Sequence, residues 1–194
     1  MRHETIGFAL CGSFCTFEKV FAALAELRKS YEAVIPIVSE AVALTDTRFG
    51  TAQAHLDRLR ELCGREVLRT RTEVEPFGPQ KTLDALVIAP CTGNTLAKLS
   101  AGIADSTVTL AAKAHLRNQK PVVLAISSND ALAAGAENLG RLLNRKHCYF
   151  VPFRQDSPEG KPASLVADLC LLTRTLDAAL EGRQLQPILL GAML

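Results

Sequence analysis

The sequence predicts an α/β domain, a three-layer doubly wound parallel sheet with helices on both faces. Three observations carry this. Short apolar runs alternate with longer stretches of helical spacing along the chain. The run inside "LDALVIAP" (Leu83 to Pro90) is unbroken by polar residues at its centre, as expected of a parallel strand covered on both sides. Small, hydroxylated or amide-bearing residues then follow four of the strand-like runs.

Taken in order, "TIGFAL" (Thr5 to Leu10) reads as a buried strand ending at Gly12-Ser13. "FEKVFAALAELRKSY" follows as a helix with Val20, Leu24, Leu27 and Tyr31 on one face. "EAVIPIVS" (Glu32 to Ser39) is the second strand, with Pro36 as a weak point in its ladder. "GTAQAHLDRLRELCG" is an amphipathic helix closed by Gly64. "REVLRTRTEVEPFGPQ" predicts a short strand before Pro76, Gly78 and Pro79 force a loop. "LDALVIAP", "KPVVLAIS" (Lys120 to Ser127) and "HCYFVPF" (His147 to Phe153) are the remaining strands. "DALAAGAENLGRLLN" and "SLVADLCLLTRTLDAALEG" are helices, and "RQDSPEGKP" (Arg154 to Pro162) is an exposed loop.

With 194 residues, 48% of them hydrophobic and 22% charged, the chain suits one domain spanning 1–194. A formal net charge of +2 with no dense Lys/Arg cluster argues against a nucleic-acid partner. The N-terminal apolar run is too short for a secretory signal, and no stretch is long enough to cross a bilayer, so a cytoplasmic protein is expected. Its six cysteines then read as reduced thiols. Cys11 and Cys15 lie four apart without a second ligand pair, so buried thiols are favoured over zinc.

Ligands in such folds bind beyond the carboxyl ends of the strands. The residues there are Cys11, Gly12 and Ser13; Ser39; Pro90 to Thr95; and Ser127, Ser128, Asn129 and Asp130. Such a lining offers N–H and hydroxyl donors to a phosphate without a fixed cation, although the same residue types also cap helices. Neither GxGxxG, GxxxxGK[ST] nor GxSxG occurs, which disfavours a standard dinucleotide site, a P-loop and a serine hydrolase. His3, His55, His115 and His147 read as a terminus, two helix surfaces and a strand edge, with structural roles.

"APCTGNTLAKLSAGIADSTVTLAA" resembles, without gaps, the signature of the FMN-binding flavoproteins that include the cysteine decarboxylases and the prenyl-flavin synthases. The resemblance implies their Rossmann-like fold, FMN as cofactor, and a homo-oligomer of three or more protomers. It places Gly12, Ser13 and Ser39 at the FMN phosphate and Thr92, Gly93, Asn94 and Thr95 at the isoalloxazine ring. Asn94 and Lys98 are then catalytic candidates, Asp105 serves the flavin site, and Asn129 is the remnant of a Pro-Ala-Met-Asn clamp. Small Gly93 lets backbone approach the ring. Cys91 occupies a variable position and is read as packing.

A narrower resemblance runs through "GFALCGSFCTFEKV", "TDTRFGTA", "LRNQKPVVLAISSNDAL", "YFVPFRQDSP" and "ALEGRQLQP". These are similar to flavoprotein subunits of spore-forming bacteria. Those proteins work with a nicotinamide-binding partner in the mother-cell cytoplasm, aromatising a dihydro- or hydroxy-tetrahydro precursor of a dicarboxylate. An oxidoreductase-type role is implied, with Arg48 in "TDTRFG" the candidate for a substrate carboxylate. Two departures separate the chain from the decarboxylases: Val74 to Gln80, "VEPFGPQ", has no histidine, and the clamp is mostly replaced. A non-catalytic scaffold stays open, as does a prenyl-flavin synthase holding a prenyl phosphate near Arg117 and Lys120.

Overall fold

Strand β3 (Ala85–Cys91) is buried at all seven positions and lies between two neighbours. On one side Ile6 to Ala9 of β1 (Arg2–Leu10) pair with Ala85 to Ile88, and on the other Leu86 to Ile88 pair with Val122 to Leu124 of β4 (Val122–Ser128). The register to β4 shifts between Ile88 and Cys91, across Pro90, which has no N–H to give the ladder. Strand β2 (Tyr31–Val38) lies parallel outside β1, and β5 (Cys148–Phe150) lies parallel to the first half of β4. The parallel part of the sheet therefore runs β2-β1-β3-β4-β5, and its five strands are the apolar runs of the sequence. The computed structural model describes residues 2–191.

Helix α1 (Phe17–Ser30) follows β1 and buries Phe17, Val20, Phe21, Leu24 and Leu27. It shares its side of the sheet with α9 (Leu172–Leu180). The opposite face is covered by α6 (Gly93–Ala101), α7 (Thr107–Arg117) and α8 (Ala136–Leu143). A five-residue helix, α2 (Glu40–Leu44), follows β2, and α3 (Ala52–Cys63) packs along the β2 edge. Thr51 caps α3 by accepting from Ala54 N at 3.1 Å, and Gly64 ends it at φ 64°, as its spacing predicts.

Pro36 does not interrupt β2. Its carbonyl accepts Leu68 N at 2.9 Å on the outer edge of the sheet, so its own nitrogen also points outward and the ladder to β1 loses nothing. Leu68 forms only an isolated bridge with Ile37. The strand expected between Arg65 and Pro76 is therefore absent, and two one-turn helices, α4 (Arg71–Val74) and α5 (Phe77–Gln80), take its place. Glu73 accepts from the backbone N–H groups of Arg69 and Thr70, which starts α4 early.

The larger correction is at the C-terminal third. Residues 154–162 are not a loop and Ser164 to Ala167 are not helical. They form a hairpin of β6 (Phe153–Ser157) and β7 (Lys161–Ala167), making the seven-stranded sheet mixed. The reason is a vacant edge. β5 stops at Phe150, leaving Ser127 and Ser128 of β4 without a parallel neighbour, and Val166 and Leu165 pair with them antiparallel. The last helix starts only at Leu172, after Asp168 caps a short 3-10 turn by accepting Cys170 N. Residues 130–135 likewise form a turn before α8.

Two histidines expected on helix surfaces are buried instead. His55 is 6% exposed among Phe14, Phe17 and Phe21, with Nε2 unpartnered among the described residues. His115 is 1% exposed, with Nε2 3.1 Å from the Pro121 carbonyl. Burial pushes the His115 imidazole down to about 4. An unfolded imidazole titrates near 6.5. As pH falls the unfolded chain therefore takes up the proton first. The contribution of the neutral ring is fully present above about pH 6.5 and is lost progressively toward pH 4, a drop on the order of 3 kcal/mol. Thermal unfolding between pH 7 and 4 should show this fall in the natural chain, and His115→Asn should flatten it in that window.

Candidate functional site

The chain leaves β1 and β3, neighbours in the sheet, toward opposite faces, α1 on one and α6 on the other. Doubly wound folds place their ligands at the carboxyl ends of two strands that diverge in this way. After β1 comes Cys11-Gly12-Ser13, and after β3 the polar elbow Thr92 to Thr95.

The elbow is a helix N-terminus. Thr92 caps α6 by accepting Thr95 N at 3.3 Å, and Thr95 Oγ1 turns inward to donate to the Cys11 thiol at 3.2 Å, joining the two strand ends. Ser13 Oγ reaches across the end of β3 to Ser127 Oγ at 2.8 Å. Three predicted strand ends thus meet through hydroxyl and thiol contacts. Burial raises the Cys11 thiol to about 11 and holds the Cys91 thiol well above its ordinary value, so both stay protonated and Cys91 acts as packing.

Gly93 also has a reason within the chain itself. A Cβ there would stand 2.7 Å from Ser128 Oγ and 2.8 Å from Asp130 Oδ1. The space is filled by the chain's own β4 loop, where the Ser128 hydroxyl donates to the Asp130 carboxylate. That carboxylate consequently sits at the first turn of α6. Asn94 and Asn129 are exposed at the two adjacent strand ends, and their amides make no hydrogen bond among the described residues.

The start of α7 is likewise occupied. Ser106 caps it by accepting Thr109 N, and Glu40 Oε1 accepts Thr107 N at 3.0 Å. Asp105, just before, binds Lys98 Nζ at 2.8 Å, and this contact holds the Asp105 carboxyl below its ordinary range. Lys98 and Asp105 are therefore partners of each other. Sequence reasoning missed Glu40, whose partner lies 67 residues away and leaves no local signal.

The helix starts beside Gly12, Ser13 and Ser39 contrast with these. Ser13 heads the 3-10 turn Phe14–Thr16, Thr16 precedes α1, and Ser39 precedes α2, and none of the three makes a side-chain cap bond. Ser39 Oγ is buried with no partner among the described residues. The starts of α6 and α7 are thus capped by side chains, whereas those at the β1 and β2 ends keep uncapped N–H groups, with Glu40 of α2 turned away to Thr107. This donor set, without a fixed cation, suits a phosphate ester.

Arg48 sits on the turn Thr47 to Gly50, its guanidinium 4.8 Å from the ring centroid of its neighbour Phe49. It is exposed, and among the described residues no hydrogen bond ties it to the elbow. Arg117 and Lys120 are elsewhere. Arg117 lines a cavity of about 550 Å³ between α5 and α7, and Lys120 pairs with Asp84 at 2.9 Å. Among the described residues no cluster of three or more His, Cys, Asp or Glu could hold a metal, and no helix is long and apolar enough to cross a membrane.

The model of the flavoprotein family matches residues 1–164. This chain belongs to the flavoprotein family. The likeness to individual flavoproteins extends beyond that match. The B subunit of dipicolinate synthase from Bacillus subtilis is 46% identical over 189 residues, covering 97% of this chain and 94% of that one. The crystal structure of the corresponding B subunit from Bacillus halodurans superposes with a TM-score of 0.89 at 41% identity, covering 98% and 97% of the two chains. Burkholderia xenovorans DmrB, solved in complex with FMN, has the same fold at a TM-score of 0.69 and 20% identity, over 92% of this chain and 96% of that one.

The crowding at Gly93 is testable. Gly93→Ala should displace Ser128 and Asp130 and cost about 1 kcal/mol, the worth of their hydrogen bond. In a Ser128→Ala, Asp130→Ala background the same change should become neutral or stabilising, since Ala is the better helix residue. Chemical denaturation of the four combinations measures the coupling.

Proposed function

We propose that this chain is the flavin-binding subunit of dipicolinate synthase. Together with a nicotinamide-binding partner subunit it converts a dihydro- or hydroxy-tetrahydrodipicolinate precursor to dipicolinate. The observation that carries the reading is the full-length relationship, 46% identity over 97% of the chain, to a protein of that name. Family membership supports a flavin, and the phosphate-ester character of the β1 and β2 ends supports FMN over an unphosphorylated flavin.

Gly12, Ser13 and Ser39 then hold the phosphate, since their helix starts are the uncapped ones. The ring lies toward Thr92 to Thr95, where Asp130 would repel a phosphate but not an uncharged ring face. Asn94 and Asn129 offer exposed amides to the ring or substrate. Bound FMN would supply a two-electron acceptor for the hydride lost as the substrate ring aromatises. Arg48 pairs a substrate carboxylate bidentately. Lys98 enters only by exchanging Asp105 for a ligand carboxylate, and Asp105 otherwise anchors the α6–α7 turn. The exposed Leu44, Phe49, Ile103 and Leu132 support a homo-oligomer, because apolar side chains of this size are covered at contacts between protomers.

The purified chain should be yellow and release FMN on denaturation. A colourless protein unable to take up added FMN would leave only the scaffold reading. Reconstituted with its nicotinamide-binding partner, Arg48→Ala should raise the KM for the dicarboxylate about tenfold or more at unchanged FMN content.

A further inference from the structure

Resting on the assignment of the phosphate to the β1 and β2 ends, we infer that Glu40 and Thr107 are positioning residues for the phosphate-binding serine, Ser39. Neither belongs to the elbow, and their partnership joins two segments far apart in sequence.

Ser39 is clamped from two sides. Its N–H donates to the Leu10 carbonyl at 3.0 Å, which ties it to the end of β1, and its own carbonyl accepts Ala43 N at 3.0 Å. The next residue, Glu40, reaches the start of α7. There Glu40 Oε1 accepts Thr107 N at 3.0 Å and lies 3.1 Å from Thr107 Oγ1, which is also 2.9 Å from the Arg69 carbonyl. Thr107 is fully buried. The Ser39–Glu40 peptide is thus held between β1 and the start of α7, with its serine hydroxyl buried and unpartnered among the described residues.

This arrangement does two things. It preorganises a donor that no other described group uses, so phosphate binding does not have to order the β2 loop first. It also directs the negative charge of Glu40 onto the α7 N-terminus, where it is favourable, leaving that helix start unavailable to the ligand phosphate. A glutamate free to turn toward the adjacent phosphate site would otherwise oppose binding.

The test compares FMN with riboflavin, which lacks the phosphate, by flavin fluorescence quenching on the full chain. Thr107→Val keeps the shape of the side chain and removes the hydroxyl, and Glu40→Gln keeps an acceptor without the charge. Each should weaken FMN about tenfold while leaving riboflavin within about twofold. Ser39→Ala should weaken FMN similarly, and the double variant Ser39→Ala, Thr107→Val should be no worse than Ser39→Ala alone, because both act through one hydroxyl. Equal loss of both ligands, additive losses, or a tighter FMN complex in Glu40→Gln would overturn the inference. A natural chain that binds FMN no better than riboflavin would instead remove the phosphate assignment on which it rests.

Discussion

The burial of β3 on both faces and both edges is the constraint on which the rest of the structure depends. A central parallel strand must give its ladder to two neighbours, and all seven of its residues are buried. Parallel neighbours end at the same level, so the loops after β1, β2, β3 and β4 are brought to one end of the sheet whatever their sequences. Those loops cannot be apolar, because their helix starts carry N–H groups without intrahelical partners. Hydroxyl and amide residues answer that need. The site is therefore a consequence of satisfying the sheet.

How each helix start is satisfied divides the strand ends into two groups. At α6 and α7 the chain supplies its own caps and its own carboxylates, Asp130 and Glu40. At the starts following β1 and β2 no side chain caps the helix, although Glu18 and Glu40 stand in the first turns of α1 and α2, and Ser39 Oγ is buried without a partner among the described residues. The two groups of helix starts thus differ in whether a side chain of the chain itself caps them.

Much of the fold was legible. The five parallel strands, α1, α3 and the C-terminal end of α3 follow from local periodicity and from Gly64. The hairpin was not. "SLVADLCLL" satisfies a helical pattern, and only the vacant edge beyond β5 makes Leu165 and Val166 strand residues. The residues that follow the strands were legible because position after a strand is a sequence property. The burial of His55 beneath the Gly50 turn and among three phenylalanines was not, since the rings of Phe14, Phe17 and Phe21 come from another helix and its approach.

The sequence by itself determined the layers of this protein, the order of most elements, and the polar character of the strand ends. Each is a matter of residue type and spacing within a few turns. Tertiary structure alone decided the partners. Ser13 meets Ser127 across 114 residues, Glu40 meets Thr107 across 67, and Gly93 makes room for Ser128 and Asp130. A hydroxyl that caps a helix and one left without a partner are the same residue type in the sequence. They differ only in whether the folded chain brings another group within hydrogen-bonding distance.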